Sequence, residues 1–141
     1  MASLTPEVAA SVALVRDALA GSSYLLTEPV GPYRPSEPGS LTGTPRTVRQ
    51  VSLGDPDGGF VVVYALRDEA AALSAGRELA AYLGSGFGQT NYPTDAQFSV
   101  AQVGSTVVFT WWSRERSGDP DAAKGAFDLI RSVGLTIPVL K

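Results

Sequence analysis

Apolar residues recur along this chain with two different periods, and the change from one to the other marks out its elements. Val8, Val12, Val15 and Leu19 follow at three- and four-residue steps, the spacing of a single helix face. Thr5-Pro6-Glu7 in front of them is a helix start: a hydroxyl to cap, proline at the first helical position and an acid in the first turn. Gly21 is a natural stop. Segments 47–53 and 60–66 then read as strands joined by Gly54-Asp-Pro-Asp-Gly-Gly59. The second of them, Phe60-Val-Val-Val-Tyr-Ala-Leu66, is apolar throughout, which predicts a central strand covered on both faces. Asp68 caps a helix that runs to about Leu83, with Leu73, Leu79 and Leu83 in its apolar set and Gly84 to end it.

The second half repeats this plan. Segments 97–103 and 106–112 are strands separated by Gly104-Ser105, a two-residue turn with glycine first that suits type II′. That turn sets the register, so that Val103 faces Thr106, Val100 faces Phe109 and Phe98 faces Trp111. One side of the hairpin then carries Phe98, Val100, Val107, Phe109 and Trp111, and the other Ala101, Val103, Val108, Thr110 and Trp112. Asp119-Pro120-Asp121 starts a last helix whose stripe is Ala123, Phe127 and Ile130, with Gly134 closing it. The tail from Leu135 adds an edge strand, because Pro138 is tolerated only at an edge.

The expected fold is α+β, a two-layer sandwich. A mainly antiparallel sheet of four or five strands carries an N-terminal helix and two strand–strand–helix units. Residues 1–141 make a single domain, since the length falls at the common domain size. Within it, 28–46 is a proline-rich arm or loop holding Pro29, Pro32, Pro35, Pro38 and Pro45. Such a segment cannot form helix or central strand, and is expected to cross the surface and pin Val30, Tyr33 and Leu41 onto it.

Composition removes several classes of chemistry. The chain has no cysteine and no histidine, so disulfides, thiolate nucleophiles, Cys/His metal sites and imidazole-based triads are out. With 14 acids against 11 bases the formal charge is −3, and the arginines are scattered from Arg16 to Arg131. A nucleic-acid partner would call for a basic patch, and none is expected. No apolar run is long enough to span a bilayer. The start, MASLTPEV, has neither a basic region nor an apolar stretch of signal type. Two addresses are therefore expected: the cytoplasm, or an extracytoplasmic site if a leader has been removed.

The remaining candidate chemistry is thin. Gly84-Ser-Gly-Phe-Gly88 follows a helix and precedes a strand, the reverse of a phosphate loop, and reads as helix termination. Its continuation, residues 84–96, is polar and roomy and could form a binding loop with Phe87 and Tyr92. Asp55-Pro56-Asp57-Gly58 lacks the later ligands of a calcium loop and reads as a hairpin turn. Acid–base chemistry without histidine would draw on Asp68, Glu69, Glu78, Asp95, Glu115 and Asp119, of which Asp68 and Asp119 are better used as N-caps. Lys124 could serve a serine as base but has no partner that sequence identifies. No catalytic residue, cofactor or metal site is assigned.

The tryptophan pair is the sharpest feature. Trp111 and Trp112 are adjacent in a strand and point to opposite faces. Trp111 belongs with Phe98 and Phe109 beneath helices. Trp112 shares its face with Val108 and Thr110, joined either by Val61 and Val63 or by Val62 and Tyr64. That second face is apolar, so something covers it: the N-terminal helix, the proline arm, a second subunit or a ligand.

Tyr64-Ala-Leu-Arg-Asp before an alanine-rich helix, Tyr82-Leu83, Tyr92-Pro93, Val103-Gly104 and Val107-Val108-Phe109 resemble small envelope proteins or lipoproteins of high-GC bacteria. The resemblance implies an extracytoplasmic address and carries over no activity. The leading expectation is a non-catalytic extracytoplasmic domain. It would use the face with Tyr64, Val108, Thr110 and Trp112 to bind a protein partner or a second copy of itself. The alternative is a small-ligand module using the 84–96 loop, Tyr92 and Trp112; a carboxylate-based hydrolase is the third reading.

Overall fold

In a computed structural model of the chain, the described residues are 5–20, 24–28, 37–52, 59–86, 92–115 and 117–139. Among them, the helices α1 (Pro6–Leu19), α2 (Glu69–Gly84) and α3 (Pro120–Ile130) pack on one sheet. Its strands are β1 (Leu26–Thr27), β2 (Arg46–Val51), β3 (Phe60–Ala65), β4 (Gln97–Val103), β5 (Thr106–Trp112) and β6 (Leu135–Ile137). They lie in the order β1-β2-β3-β5-β4-β6, every neighbouring pair antiparallel. The α+β class and the antiparallel sheet are those the sequence predicts. Beyond the four main strands, two short edge strands complete the sheet: β6, which was expected, and β1, which has no pattern of its own.

Local chemistry explains each boundary. Thr5 accepts from the Val8 N–H at 3.2 Å, Asp68 from Ala71 at 2.8 Å and Asp119 from Ala122 at 3.2 Å, so all three expected N-caps are made. Gly104 has φ +56°, and Ser105, like every described non-glycine residue, keeps a negative φ, as a type II′ turn requires. The β4–β5 register is the expected one, with Val103 opposite Thr106, Val100 opposite Phe109 and Phe98 opposite Trp111. Gly134, at φ +77°, brings the chain from α3 into β6. A Cβ there would lie 2.6 Å from the Gln102 carbonyl oxygen, so glycine is required.

The two helical crossovers decide what covers the sheet. Helix α2 connects β3 to β4 and α3 connects β5 to β6, each joining parallel strands that have one strand between them. Both steps run the same way along the sheet, yet β3 and β5 point in opposite directions. Helix α2 packs on the face of Val62, Tyr64, Val100, Val107 and Phe109, whereas α3 packs with α1 on the face of Val61, Val63 and Val108. Opposite starting directions and opposite faces give the two crossovers the same hand, as the strong chiral preference of such units demands. The expected layer of helix on sheet is thus joined by a helical layer on the second face.

The core divides accordingly. On one side Ala72, Ala75, Leu79, Ala80 and Leu83 of α2 meet the strands; Leu73, expected in this set, is only half-buried. On the other, Val8, Val12, Val15 and Leu19 of α1 pack with Ala126 and Ile130 of α3. Leu41, in a short 3-10 turn (Gly39–Leu41), is buried against the α2 side, as expected for the arm. Gly21, Val30, Tyr33 and the Asp55–Gly58 turn lie outside the described residues.

Candidate functional site

The β4–β5 hairpin sends its two tryptophans into different surroundings. On the α2 face, Trp111 stands beside Phe98, and Tyr92 closes over both from the turn that leads into β4. The Tyr92 ring is edge-on to Phe98 at 5.0 Å, to Trp111 at 5.2 Å and to Phe109 at 6.5 Å between centroids, while Phe98 stacks on Phe109 at 6.4 Å. Edge-to-face pairs of this kind contribute about 0.5–1.5 kcal/mol each beyond the area they bury. Pro93 shapes the approach, its carbonyl accepting from the Ala96 N–H at 3.0 Å. Phe109 is fully buried, but Tyr92, Phe98 and Trp111 are each only partly so. The indole nitrogen of Trp111 is nevertheless hidden from solvent and, among the described residues, has no hydrogen-bond acceptor.

On the opposite face, Trp112 is 7% exposed and lies under Ala123 and Phe127 of α3. Its Nε1 donates to Gln97 Oε1 at 3.2 Å, and its ring is 6.4 Å from that of Phe127. The guanidinium of Arg114 lies over Trp112 at 5.7 Å and that of Arg131 over Phe127 at 5.8 Å, so cations flank the aromatic pair. The N-terminal helix covers this face over β3 and β5, on Val61, Val63 and Val108, as one of the four expected covers. Directly over Trp112 itself the cover is the C-terminal helix, which was not among them.

The six residues expected to form an interaction surface do not converge. Val108, Thr110 and Trp112 share the α1/α3 face and are buried, with Thr110 Oγ1 donating to the Phe60 carbonyl at 2.8 Å. Tyr64 is buried on the opposite face, because β3 pairs it with Val107. Tyr92 belongs to that same face and is partly exposed; Phe87 lies outside the described residues. Burial under α1 and α3 is the reason that Val108, Thr110 and Trp112 offer no contact surface.

Two participants were not anticipated. One is the Trp111 indole, assigned by the hairpin register to the right neighbours but not to a partly open end. The other is Glu37, whose side chain is 5% exposed. It accepts from Arg46 Nη1 at 2.6 Å and from the Tyr64 hydroxyl at 2.8 Å. Arg46 Nη2 donates to the carbonyls of Leu41 and Thr42, and the guanidinium sits 5.3 Å from the Tyr64 ring centre. A buried ion pair of this sort offsets its own desolvation only when its remaining hydrogen bonds are filled, as here, and it fixes where the arm meets the sheet. The signal for it was the tyrosine hydroxyl in an otherwise apolar strand, which needs a partner when buried.

The carboxylates are dispersed. Asp68 and Asp119 are spent as caps. Asp95 accepts from Ser113 Oγ at 2.5 Å and from the Glu115 N–H at 3.0 Å, and the Ser113 bond above all holds its carboxyl below the ordinary value of 3.8. Glu69, Glu78 and Glu115 are exposed, and Lys124 pairs with Asp128 one helical turn on at 2.6 Å. Among the described residues no group of three acids could hold a metal ion, and no helix is long and apolar enough to cross a membrane. Set against known proteins, the chain matches no family model, no curated protein and no solved structure.

Proposed function

We propose that this protein is a non-catalytic binding module that takes a small ligand at the open end of its α2 face, against Tyr92, Phe98 and Trp111. The observation that carries this reading is the buried Trp111 Nε1, without an acceptor among the described residues, beside partly exposed aromatic rings. A buried donor left without an acceptor costs about 1–3 kcal/mol, and folded proteins seldom keep one without a reason. Ligand sites are mostly apolar and aromatic with a few placed polar groups, and this end of the sheet has that make-up. The ligand class that fits is a ring-shaped molecule with one apolar face for the aromatics and one acceptor oxygen for the indole N–H. An envelope address, implied by the resemblance, would place that ligand outside the cytoplasm.

The two tryptophans supply the test and its internal control. In a proton–nitrogen correlation spectrum each gives one indole signal, and that of Trp112 is held by Gln97. Titration with ring fragments bearing a carbonyl or hydroxyl oxygen is expected to move the Trp111 signal and leave that of Trp112 in place. Trp111→Phe keeps an aromatic ring without the donor, and should weaken the same fragments. Fragments that shift only Trp112, or that bind Trp111→Phe as tightly as the parent chain, overturn the reading.

A further inference from the structure

Residues 37–44 are attached differently from the strand that follows them. Pro45 belongs to the sheet, its carbonyl accepting from the Ala65 N–H at 2.9 Å beside the Arg46–Tyr64 rung. Before it, the backbone-to-backbone hydrogen bonds made with described residues close inside the segment. The Leu41 N–H donates to the Pro38 carbonyl at 2.9 Å and the Thr44 N–H to that of Leu41 at 3.0 Å, around the Gly39–Leu41 turn. Side chains tie this turn to the rest. Leu41 is buried in the α2-face core, and Glu37 accepts from both Arg46 and Tyr64. The same guanidinium donates to the carbonyls of Leu41 and Thr42 and, at 3.4 Å, to that of Thr44.

We infer that residues 37–44 form a strap that opens and shuts as one unit on a sheet that stays folded, with Glu37 as its latch and Thr44-Pro45 as its hinge. The bonds from Arg46 to the strap all leave one guanidinium, so they are made together and lost together. Lifting the strap breaks no strand pairing, whereas opening β3 or β5 breaks a ladder on both sides. Local openings that give up few buried contacts lie below global unfolding in free energy. The shut state is held by a buried carboxylate whose charge is met by two donors, and that pairing is costly to break. Shut, the strap covers the Arg46 guanidinium, the Tyr64 hydroxyl and the seat of Leu41 beside α2; opening releases all three at once. Tyr64 pairs with Val107, four residues along β5 from Trp111, so the strap stands or falls independently of ligand binding at the tryptophan end.

Native-state hydrogen exchange of the full chain in sub-denaturing urea tests the inference. The Leu41 and Thr44 amides should exchange through one shared opening, roughly tenfold or more faster than the slowest amides of β3 and β5 and with a weaker urea dependence. Two variants separate the strap from the sheet. Glu37→Gln removes the charge of the latch and should speed the Leu41 and Thr44 amides by roughly tenfold or more. Phe127→Leu loosens the opposite face, whose contacts survive when the strap lifts. It should speed the slowest β5 amides by roughly fivefold or more and leave those of Leu41 and Thr44 unchanged. The inference is overturned by Leu41 and Thr44 amides that open only with the sheet, by a Phe127→Leu chain in which they speed up along with it, or by a Glu37→Gln chain in which they exchange as in the parent.

Discussion

The two faces of this sheet are made from the same strands but closed in different ways. Over the face of Val61, Val63, Val108 and Trp112 lie two helices, α1 and α3, and its buried polar groups are matched. Ser11 pairs with Thr106 at 2.7 Å, Thr106 donates to the Val103 carbonyl, Thr110 to that of Phe60, and Trp112 to Gln97. Over the other face, among the described residues, α2 is the one long helix, in contact with β4, β5 and β6. A helix about 10 Å across covers about two strands spaced near 4.8 Å, so one helix cannot close a six-stranded sheet. The remainder is filled by pieces: Leu41 and the Glu37–Arg46–Tyr64 cluster toward β2 and β3, and Tyr92 at the end of β4 and β5. Among the described residues, Tyr92, Phe98 and Trp111 stay only partly buried and the Trp111 indole N–H has no acceptor.

The largest effect should come from uncovering the closed face. Phe127 is 4% exposed and packs on Trp112, so Phe127→Ala removes a fully used ring and leaves a cavity under α3. We expect a loss of about 3–5 kcal/mol in urea unfolding at constant slope, with Trp112 fluorescence shifted to the red in the folded state. Phe98→Ala on the open face should cost at least about 1 kcal/mol less, because part of that ring is already in water. Equal losses would mean that the α2 face is as tightly closed as the other.

A gentler comparison keeps an aromatic ring at both positions and removes the indole donors. Trp112→Phe gives up a hydrogen bond to Gln97 and should cost about 0.5–1.5 kcal/mol for that bond, besides the change in ring size. Trp111→Phe gives up a donor with no partner, so relief of its desolvation offsets much of the lost ring area. The second variant is expected to be the more stable of the two in matched denaturant titrations. The reverse order would show that the Trp111 N–H is satisfied in solution.

How much of this could be read in advance follows from the range of each interaction. The hairpin register was legible because Gly104-Ser105 fixes it locally, and the caps at Thr5, Asp68 and Asp119 were legible because each is made within three residues. The sorting of Phe98, Phe109 and Trp111 onto one face follows from the same turn. What covers Trp112 was not legible, because it depends on strand order: only with β4 and β6 placed beyond β5 does crossover handedness send α3 to that face. The choice between Val61/Val63 and Val62/Tyr64 had the same cause, since β3 and β5 are joined by no short turn. Strand β1 carries two residues, too few for any period, and the burial of Glu37 rests on Arg46 and on the distant Tyr64. Local chemistry built the elements, while the site arises from how they were assembled.

The smallest effect concerns the link between the outer ends of β4 and β5, beside the tryptophans. Asp95, just before β4, accepts hydrogen bonds from Ser113 and Glu115, just after β5, where the chain turns from the tryptophans toward α3. Those bonds favour the charged carboxylate, the Ser113 hydroxyl most of all, so its folded pKa lies below 3.8. A carboxylate held lower in the folded than in the unfolded state contributes stability that is complete above the unfolded value and is lost as pH falls through the folded one. Asp95→Asn should therefore be less stable than the parent at pH 6, and the gap should close steadily below about pH 4. Urea midpoints of the two chains across that range make the measurement. A gap that stays constant with pH would assign the Asp95 contribution to shape rather than charge.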